Sequence, residues 1–483
     1  MKRFAPLAAL LLGACMLGPN YRPAPTPAVA AGGFTGGSIA VAVSEPLPDS
    51  WWQLYRDPAL DALVEQALAA NTDLRVASAN LRQARGVLSE ARAGRLPSTT
   101  ITAAGGYSRS AASNRSGGGT GSTGAGNTGS GNFQSQYYNA GLDVSYEVDL
   151  FGRVSRTIAA ARADADALEA ARDTVRVSVA AETMRAYADA CTATRQLTVA
   201  QSSLELQTQS FGLTERLYRA GRGTPLDVAR GRAQLEAIRA TLPLFVTDRR
   251  TALFRLKLLL GQPAEAPPPA AAATCAAPPR LLTPLPVGDG AALLRRRPDI
   301  RQADRRLAAA TARIGVAIAS LYPSIALGGA VGTSALSIGG LGSSAAFTYN
   351  IGPFISWSFP NIAVARARIV QARAGNEGAL ASFDGTVLGA LQETESALAS
   401  LAGEADHFAA LQTARDASAE AARIVRLRYG AGRENFLAVL DAERTLSTAE
   451  AQLAASEATL ADDQISVFKT LGGGWQTAQF PPQ

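Results

Sequence analysis

Asn139-Ala-Gly-Leu-Asp-Val-Ser-Tyr-Glu-Val-Asp-Leu150 alternates along its whole length. Ala140, Leu142, Val144, Tyr146, Val148 and Leu150 share one face; Gly141, Asp143, Ser145, Glu147 and Asp149 share the other. A period of two is the mark of a strand with one apolar and one polar face. Three of the polar-face residues are acids, so that face must meet water. After Phe151-Gly152-Arg153 the period changes. Val154, Ile158, Ala161, Ala165, Leu168, Val175 and Val179 fall at helical spacing, as in a helix packed on helices. No proline or glycine interrupts residues 154–210. A helix over 153–220 spans roughly 100 Å at the α-helical rise, longer than an ordinary globular core needs.

The composition agrees. Of 483 residues 47% are hydrophobic but only 6% aromatic, which suits closely packed helices. The net charge is +6, yet acids and bases are interspersed, the pattern of solvated faces and not of a nucleic-acid patch. The single histidine, His407, lies in a polar helical stretch. There is no phosphate-binding loop, Cys/His metal spacing or nucleophile elbow, and Gly117-Gly-Gly-Thr-Gly121 lacks the lysine a phosphate loop needs. An enzyme is not expected, nor a cofactor, a metal or a catalytic residue.

Lys2 and Arg3 precede a short apolar run, residues 4–12, that cannot span a bilayer. It ends in Leu12-Gly13-Ala14-Cys15, which resembles a bacterial lipobox. Residues 1–14 then read as a lipoprotein signal peptide and Cys15 as the lipidated first residue of the mature chain. Met16 in place of Asp implies delivery to the outer membrane. No later apolar run reaches transmembrane-helix length, so a membrane crossing would be made by strands. The other cysteines, Cys191 and Cys275, could pair in an oxidising compartment, a question the sequence leaves open.

Residues 15–50, rich in Pro, Ala and Gly, read as an extended lipidated tether. A first repeat follows over 51–261, with strands at about 98–110 and 137–150 and long helices over 153–220 and 224–260. Thr224-Pro225 supplies an N-cap and first-turn proline. Residues 116–132 are low-complexity Gly, Ser, Thr and Asn, a loop at the hairpin tip. An irregular linker covers 262–296. Then the pattern returns over 297–471. Asp73-Leu-Arg75 to Leu96-Pro97-Ser98 matches Asp299-Ile-Arg301 to Tyr322-Pro323-Ser324 at equal spacing. Tyr218-Arg-Ala-Gly221-Arg222 matches Tyr429-Gly-Ala-Gly432-Arg433. Second-repeat strands are expected at about 323–334 and 346–359, helices over 362–428 and 435–471, and a tail over 472–483. Phe347, Tyr349, Ile351, Ile355 and Trp357 alternate with Thr348, Asn350, Gly352 and Ser356, with Phe354 an apolar exception.

The strands have the length of tilted transmembrane strands. Two hairpins give four, too few to close a barrel, and an open edge is prohibitive in lipid. The chain must therefore oligomerise, and three copies would supply twelve strands.

The chain resembles the TolC-like outer-membrane efflux proteins, specifically the NodT/OprM-type lipoproteins of resistance–nodulation–division pumps. The resemblance rests on Cys15 before Gly18-Pro-Asn-Tyr21-Arg-Pro23, Trp51-Trp52 before Asp57-Pro58, and Asp149-Leu-Phe-Gly-Arg153. It continues with Arg296-Arg-Pro-Asp-Ile300 and with Arg428-Tyr-Gly-Ala-Gly432 before Leu440-Asp-Ala-Glu-Arg444. One departure stands at the second strand–helix junction, Phe359-Pro-Asn-Ile362, where relatives carry a Gly-Arg motif and Pro360 must break the strand.

The resemblance implies a mainly α fold with transmembrane β. The homotrimer would form a 12-stranded barrel continuous with a periplasmic α-helical barrel, with the 262–296 linker in an equatorial belt. It implies the outer channel of a tripartite efflux pump, working with a periplasmic adaptor and an inner-membrane pump, in contact with outer-membrane lipid and with no nucleic acid. A periplasmic gate would use Asp441, Tyr429, Arg428 and Leu437, with Asp227 in the comparable place of the first repeat. Adaptor-contacting turns would be Gly221, Arg222, Gly223, Thr224, Gly432, Arg433 and Glu434. The outer channel of a type I protein secretion system uses the same fold and is the alternative. A structural coiled-coil lipoprotein has no use for the acid-lined strand.

Overall fold

The computed structural model describes residues 16–23, 33–36, 42–43, 45, 47–110, 133–281, 283–357 and 362–473. Cys15 with the signal segment, the loop over 116–132, Pro360 and the tail from 474 lie outside the described residues. In chain order the elements are β1 (Ala42–Val43), a 3-10 turn (Trp51–Tyr55), α1 (Pro58–Ala70), α2 (Thr72–Ala93), β2 (Ser98–Ser110) and β3 (Phe133–Val148). Next come α3 (Arg153–Arg219), α4 (Pro225–Arg239), α5 (Leu242–Leu259), α6 (Ala270–Thr274), β4 (Leu285–Pro286) and α7 (Gly290–Arg296). The chain closes with α8 (Pro298–Ala319), β5 (Ser324–Ala335), β6 (Phe347–Ser356), α9 (Ile362–Gly430) and α10 (Phe436–Thr470). Two compact units result, one of residues 1–22, 84–164 and 307–378, the other of the remainder. The division falls inside α2, α3, α8 and α9, so each unit draws on both sequence repeats.

The first unit holds an antiparallel sheet in the order β2-β3-β5-β6. Its register brings Ile101, Leu142, Val331 and Tyr349 into one row. The neighbouring row on the other face is Thr100, Asp143, Ala330 and Asn350. The apolar face is bare within the chain: Ile101 is 82% and Ile351 87% exposed. Phe354 falls on the polar face, where it lies across Gly328; a Cβ there would come 2.7 Å from the ring. Each of β2 and β6 has one neighbour in the sheet, so both are free edges.

Strand β3 stops at Val148, short of the expected 150, because Asp149 turns to cap the helix. Its carboxylate accepts from the amides of Val154 at 2.9 Å and Ser155 at 2.7 Å. Gly152 takes φ +78°, a left-handed conformation that a side chain would resist. Arg153 pairs with Glu147. β6 likewise ends at Ser356, not 359.

The segment expected to be a free tether is, where described, packed on the fold. Buried Arg156 donates from Nε to the Leu17 carbonyl at 3.0 Å, and from Nη2 to the Gly18 carbonyl at 3.0 Å and Asn20 Oδ1 at 2.9 Å. Tyr21 packs on Ala163, Ala308 and Ala309. In the second unit, the Thr35 amide donates to Glu395 at 3.0 Å and β1 runs parallel to β4. Composition revealed the extended backbone but not the partners it docks on.

The core of the second unit gathers around Trp51, stacked on Phe468 at 4.5 Å, with Leu60, Val64, Met184, Leu256 and Ile465 fully buried. Asp57 caps α1 through the amides of Ala59 at 3.0 Å and Leu60 at 3.3 Å, and accepts from the Tyr187 hydroxyl at 2.9 Å. Arg297 bonds Asp299 at 2.7 Å, Glu393 at 2.9 Å and the Thr470 carbonyl at 2.9 Å, tying the start of α8 to α9 and α10. Cys191 and Cys275 are disulfide-bonded, Sγ to Sγ at 2.00 Å, which fastens the linker to α3. The helix expected over 224–260 is two helices, parted at Ala240–Thr241. Pro243 can neither donate to the preceding turn nor fit against it, so the helix restarts. Its counterpart α10, without proline or glycine, runs unbroken.

An acid strip where α3 meets α10 has a pH signature. Burial, then Asp462, raises the Asp189 carboxyl to about 6, and burial, then Glu404 and Asp462, raises Asp463 to about 6. Both bind a proton more tightly folded than unfolded. Their contribution is full below about pH 4 and is lost as pH rises through about 6. Thermal melting is therefore expected to move upward between pH 7 and pH 5, and Asp189→Asn with Asp463→Asn to flatten most of that slope.

Candidate functional site: the paired helix turns

The two helix-to-helix turns in the second unit are built alike. After α3, Gly221 takes φ +71°, its amide donates to the Tyr218 carbonyl at 2.9 Å, and Arg222 donates to Leu217 at 2.8 Å. After α9, Gly432 takes φ +72°, its amide donates to Tyr429 at 2.9 Å, and Arg433 donates to Arg428 at 2.9 Å. These are the bonds of a glycine-terminated helix, in which a left-handed residue lets the chain reverse and satisfy the last carbonyls. Each following helix is capped at once. The Thr224 hydroxyl accepts from the Asp227 amide at 3.2 Å while the Asp227 carboxylate accepts from the Thr224 amide at 3.1 Å. Asn435 Oδ1 accepts from the Ala438 amide at 2.9 Å. Such turns hold their shape without outside help. They leave Gly221, Arg222, Thr224, Gly432 and Arg433 exposed, with Gly223 and Glu434 half-covered.

The expected gate residues separate into three groups. Tyr429 lies between the helix pairs, 6.0 Å from the Phe436 ring; burial raises its hydroxyl pKa, Thr214 draws it down, and the Asp227 charge raises it. Asp227 is engaged in the cap, so its carboxylate has a local structural use besides its effect on Tyr429. Arg428, Leu437 and Asp441 are exposed. Arg428 faces Glu434 at 3.5 Å, and Leu437 and Asp441 lie exposed one turn apart on α10. The structure thus joins Tyr429 to Asp227, pairs Arg428 with Glu434, and leaves Leu437 and Asp441 exposed.

Sequence reasoning missed the residues on which Tyr429 rests. Phe436 is buried, and a Cβ on Gly231 of α4 would come 3.0 Å from Phe211 and 3.3 Å from Phe436. Gly231 is the gap that lets the two aromatics lie between α3, α4 and α10. Its signal was a glycine inside a helical pattern, which marks close approach. Arg232 lies 5.9 Å above the Phe211 ring.

Comparison with known proteins extends over most of the chain. The family described as outer membrane efflux protein matches residues 63–262 and 291–473. The chain is 30% identical to nodulation protein T of Rhizobium leguminosarum bv. trifolii, covering 93% of this chain and 92% of that one. It is 31% identical to outer membrane protein OprJ of Pseudomonas aeruginosa, over 97% and 95%. The solved outer-membrane channel OprN superposes with a TM-score of 0.86 at 36% identity, covering 96% of this chain and 100% of that one. The open state of the Neisseria gonorrhoeae MtrE outer membrane channel superposes at 0.77 with 28% identity, over 95% and 99%. With a match across both repeats, this chain belongs to the outer membrane efflux protein family.

Proposed function

We propose that the chain is the outer-membrane channel of a tripartite efflux pump, a homotrimer that carries small molecules outward from a periplasmic adaptor and an inner-membrane pump. The observation that carries this reading is the four-stranded sheet with a bare apolar face and two free edges. A sheet of that kind is unsatisfied in water and in lipid alike. Pairing β6 of one copy with β2 of the next keeps every neighbour antiparallel. Three copies close a ring of twelve strands with apolar residues outward and Asp143 and Glu147 toward the lumen. Cys15 would add a lipid anchor.

In this arrangement the paired turns form the periplasmic end. Asp441 and Leu437 of three copies converge as a ring on the axis, and Arg428 and Tyr429 hold neighbouring helices together until an adaptor meets Gly221–Thr224 and Gly432–Glu434. Three carboxylates on a narrow axis bind cations and hinder their passage. The mass of the detergent-extracted complex, corrected for bound detergent, is expected to be that of a trimer, and a stable monomer would overturn the channel. In planar bilayers, Asp441→Ala is expected to relieve block by divalent cations at least tenfold, with the trimer mass unchanged.

A further inference from the structure

Phe354 breaks the pattern of the sheet. Along β5 and β6 the polar face otherwise carries Ser, Ala, Gly, Thr and Asn. Phe354 stands on that face, paired with Ala326, and is 53% exposed. A half-exposed ring among small and polar side chains gains little from burial, and breaks of pattern of this kind fall where function asks for them. The ring lies across Gly328, where a Cβ would come 2.7 Å from it, so the missing side chain lets the ring rest on the sheet. Gly328 pairs with Gly352, and a Cβ on Gly352 would meet no atom of the described residues within 4 Å.

Asn350 closes the other side of this opening. It points to the same face as Gly352 and Phe354, and its Oδ1 accepts from the Ala330 amide at 3.0 Å, which fixes its side chain over β5. Asn350 and Phe354 lie about 13 Å apart along an extended strand, with only Gly352 between them on that face. This leaves room for a planar ring system beside the Phe354 ring. Among the described residues the charged side chains on this face of the sheet are Asp143 and Glu147 of β3, two strands or about 10 Å from β6. Glu147 is paired with Arg153, and Asp143 is exposed, so the face as a whole is negative. Across β5 only Ala326, Gly328 and Ala330 stand between these acids and the ring, and none is long enough to block the way.

We propose that Phe354, with the open floor at Gly352, is a docking point inside the barrel for planar aromatic cations. The rings of such a molecule stack on Phe354, and its positive charge is held by the field of Asp143 and Glu147. The inference rests on the channel reading, in which this face lines the lumen and three such points surround one passage. A single stacked ring and a carboxylate at a distance hold a cargo loosely, and a site along a passage must let its cargo leave.

The test titrates the full-length protein, reconstituted in phosphatidylcholine nanodiscs, with ethidium, a planar phenanthridinium cation, and follows its fluorescence anisotropy. Phe354→Ser is expected to weaken binding about tenfold, and Phe354→Trp to keep or tighten it, because the stacking surface survives. Phe354→Leu separates docking from a structural role. It keeps an apolar cover over Gly328 and loses the aromatic face, so it is expected to bind as weakly as Phe354→Ser. Asp143→Asn is expected to weaken ethidium about threefold and to flatten the salt dependence of binding. Phenanthridine, the uncharged parent ring system, is expected to bind wild type at least tenfold more weakly than ethidium. Phe354→Leu binding as wild type does would mean that the ring only shields Gly328, and would overturn the docking point, as would equal affinity for ethidium and phenanthridine. The mass of each complex is measured alongside. A monomeric wild type would overturn the channel reading, whereas a trimer whose ethidium affinity ignores position 354 would overturn the docking point alone.

Discussion

An Ile351→Lys chain is expected to lose its place in the outer membrane while keeping its helical content. Ile351 lies mid-strand on β6, opposite Gly329, on the apolar face, and is 87% exposed within the chain. In the proposed barrel it meets hydrocarbon near the middle of the bilayer. A lysine there costs about 2–4 kcal/mol per strand, incurred in each of three copies. The second unit, whose core of Trp51, Met184 and Phe468 shares no residue with the sheet, has no reason to unfold. The matching variant is Ser145→Lys, which adds the same charge to the opposite face between Asp143 and Glu147. It is expected to leave trimer mass and membrane fractionation unchanged. Equal damage from both substitutions would sink the assignment of faces.

The second large effect concerns the staple between α3 and the linker. Cys191 and Cys275 close a loop across 84 residues. The chain-entropy account gives such a cross-link about 4.5 kcal/mol through restriction of the unfolded chain. Cys191 is fully buried in the core while Cys275 is partly covered, so a reductant approaches the bond from the linker side. Cys191→Ser with Cys275→Ser is expected to shift guanidinium unfolding of the helical unit to markedly lower concentration. Wild type should match the double variant once reduced. Identical unfolding curves for wild type and variant would mean that the linker contributes nothing through this bond. Other attachments of the linker, among them the pairing of β1 with β4, the bonds from Arg249 to the Ala273 carbonyl and from Lys257 to the Ala264 carbonyl, and Arg280 over the Phe408 ring, then would carry it.

What the residue order determined by itself was everything that repeats at short range. The alternation through residues 139–148 requires a two-faced strand, because side chains of a strand point alternately and cannot be redistributed. The uninterrupted run after Arg153 requires a long helix, and the left-handed glycines at 221 and 432 require it to reverse. The equal spacing from Asp73 to Pro97 and from Asp299 to Pro323 corresponds to two helices of 22 residues, each followed by a strand. Even the exception was legible, since Phe354 does fall on the polar face.

The tertiary structure alone decided what depends on residues far apart in the chain. Asp149 reads as a strand residue until the amides of Val154 and Ser155 claim its carboxylate. Residues 16–23 read as free tether until Arg156 closes on them from 130 and more positions away. The order β2-β3-β5-β6 pairs the inner strands of two hairpins, a choice made by long-range register. The packing of Tyr429 on Phe436 and of Phe211 against Gly231 likewise arises only when α3, α4, α9 and α10 lie side by side, and the disulfide only when the linker folds back on α3. Local pattern sets which way a side chain points. Whether it there finds a cap, a ring, a charge or open space is settled by the neighbours that long-range packing brings, and burial makes each such outcome costly to change.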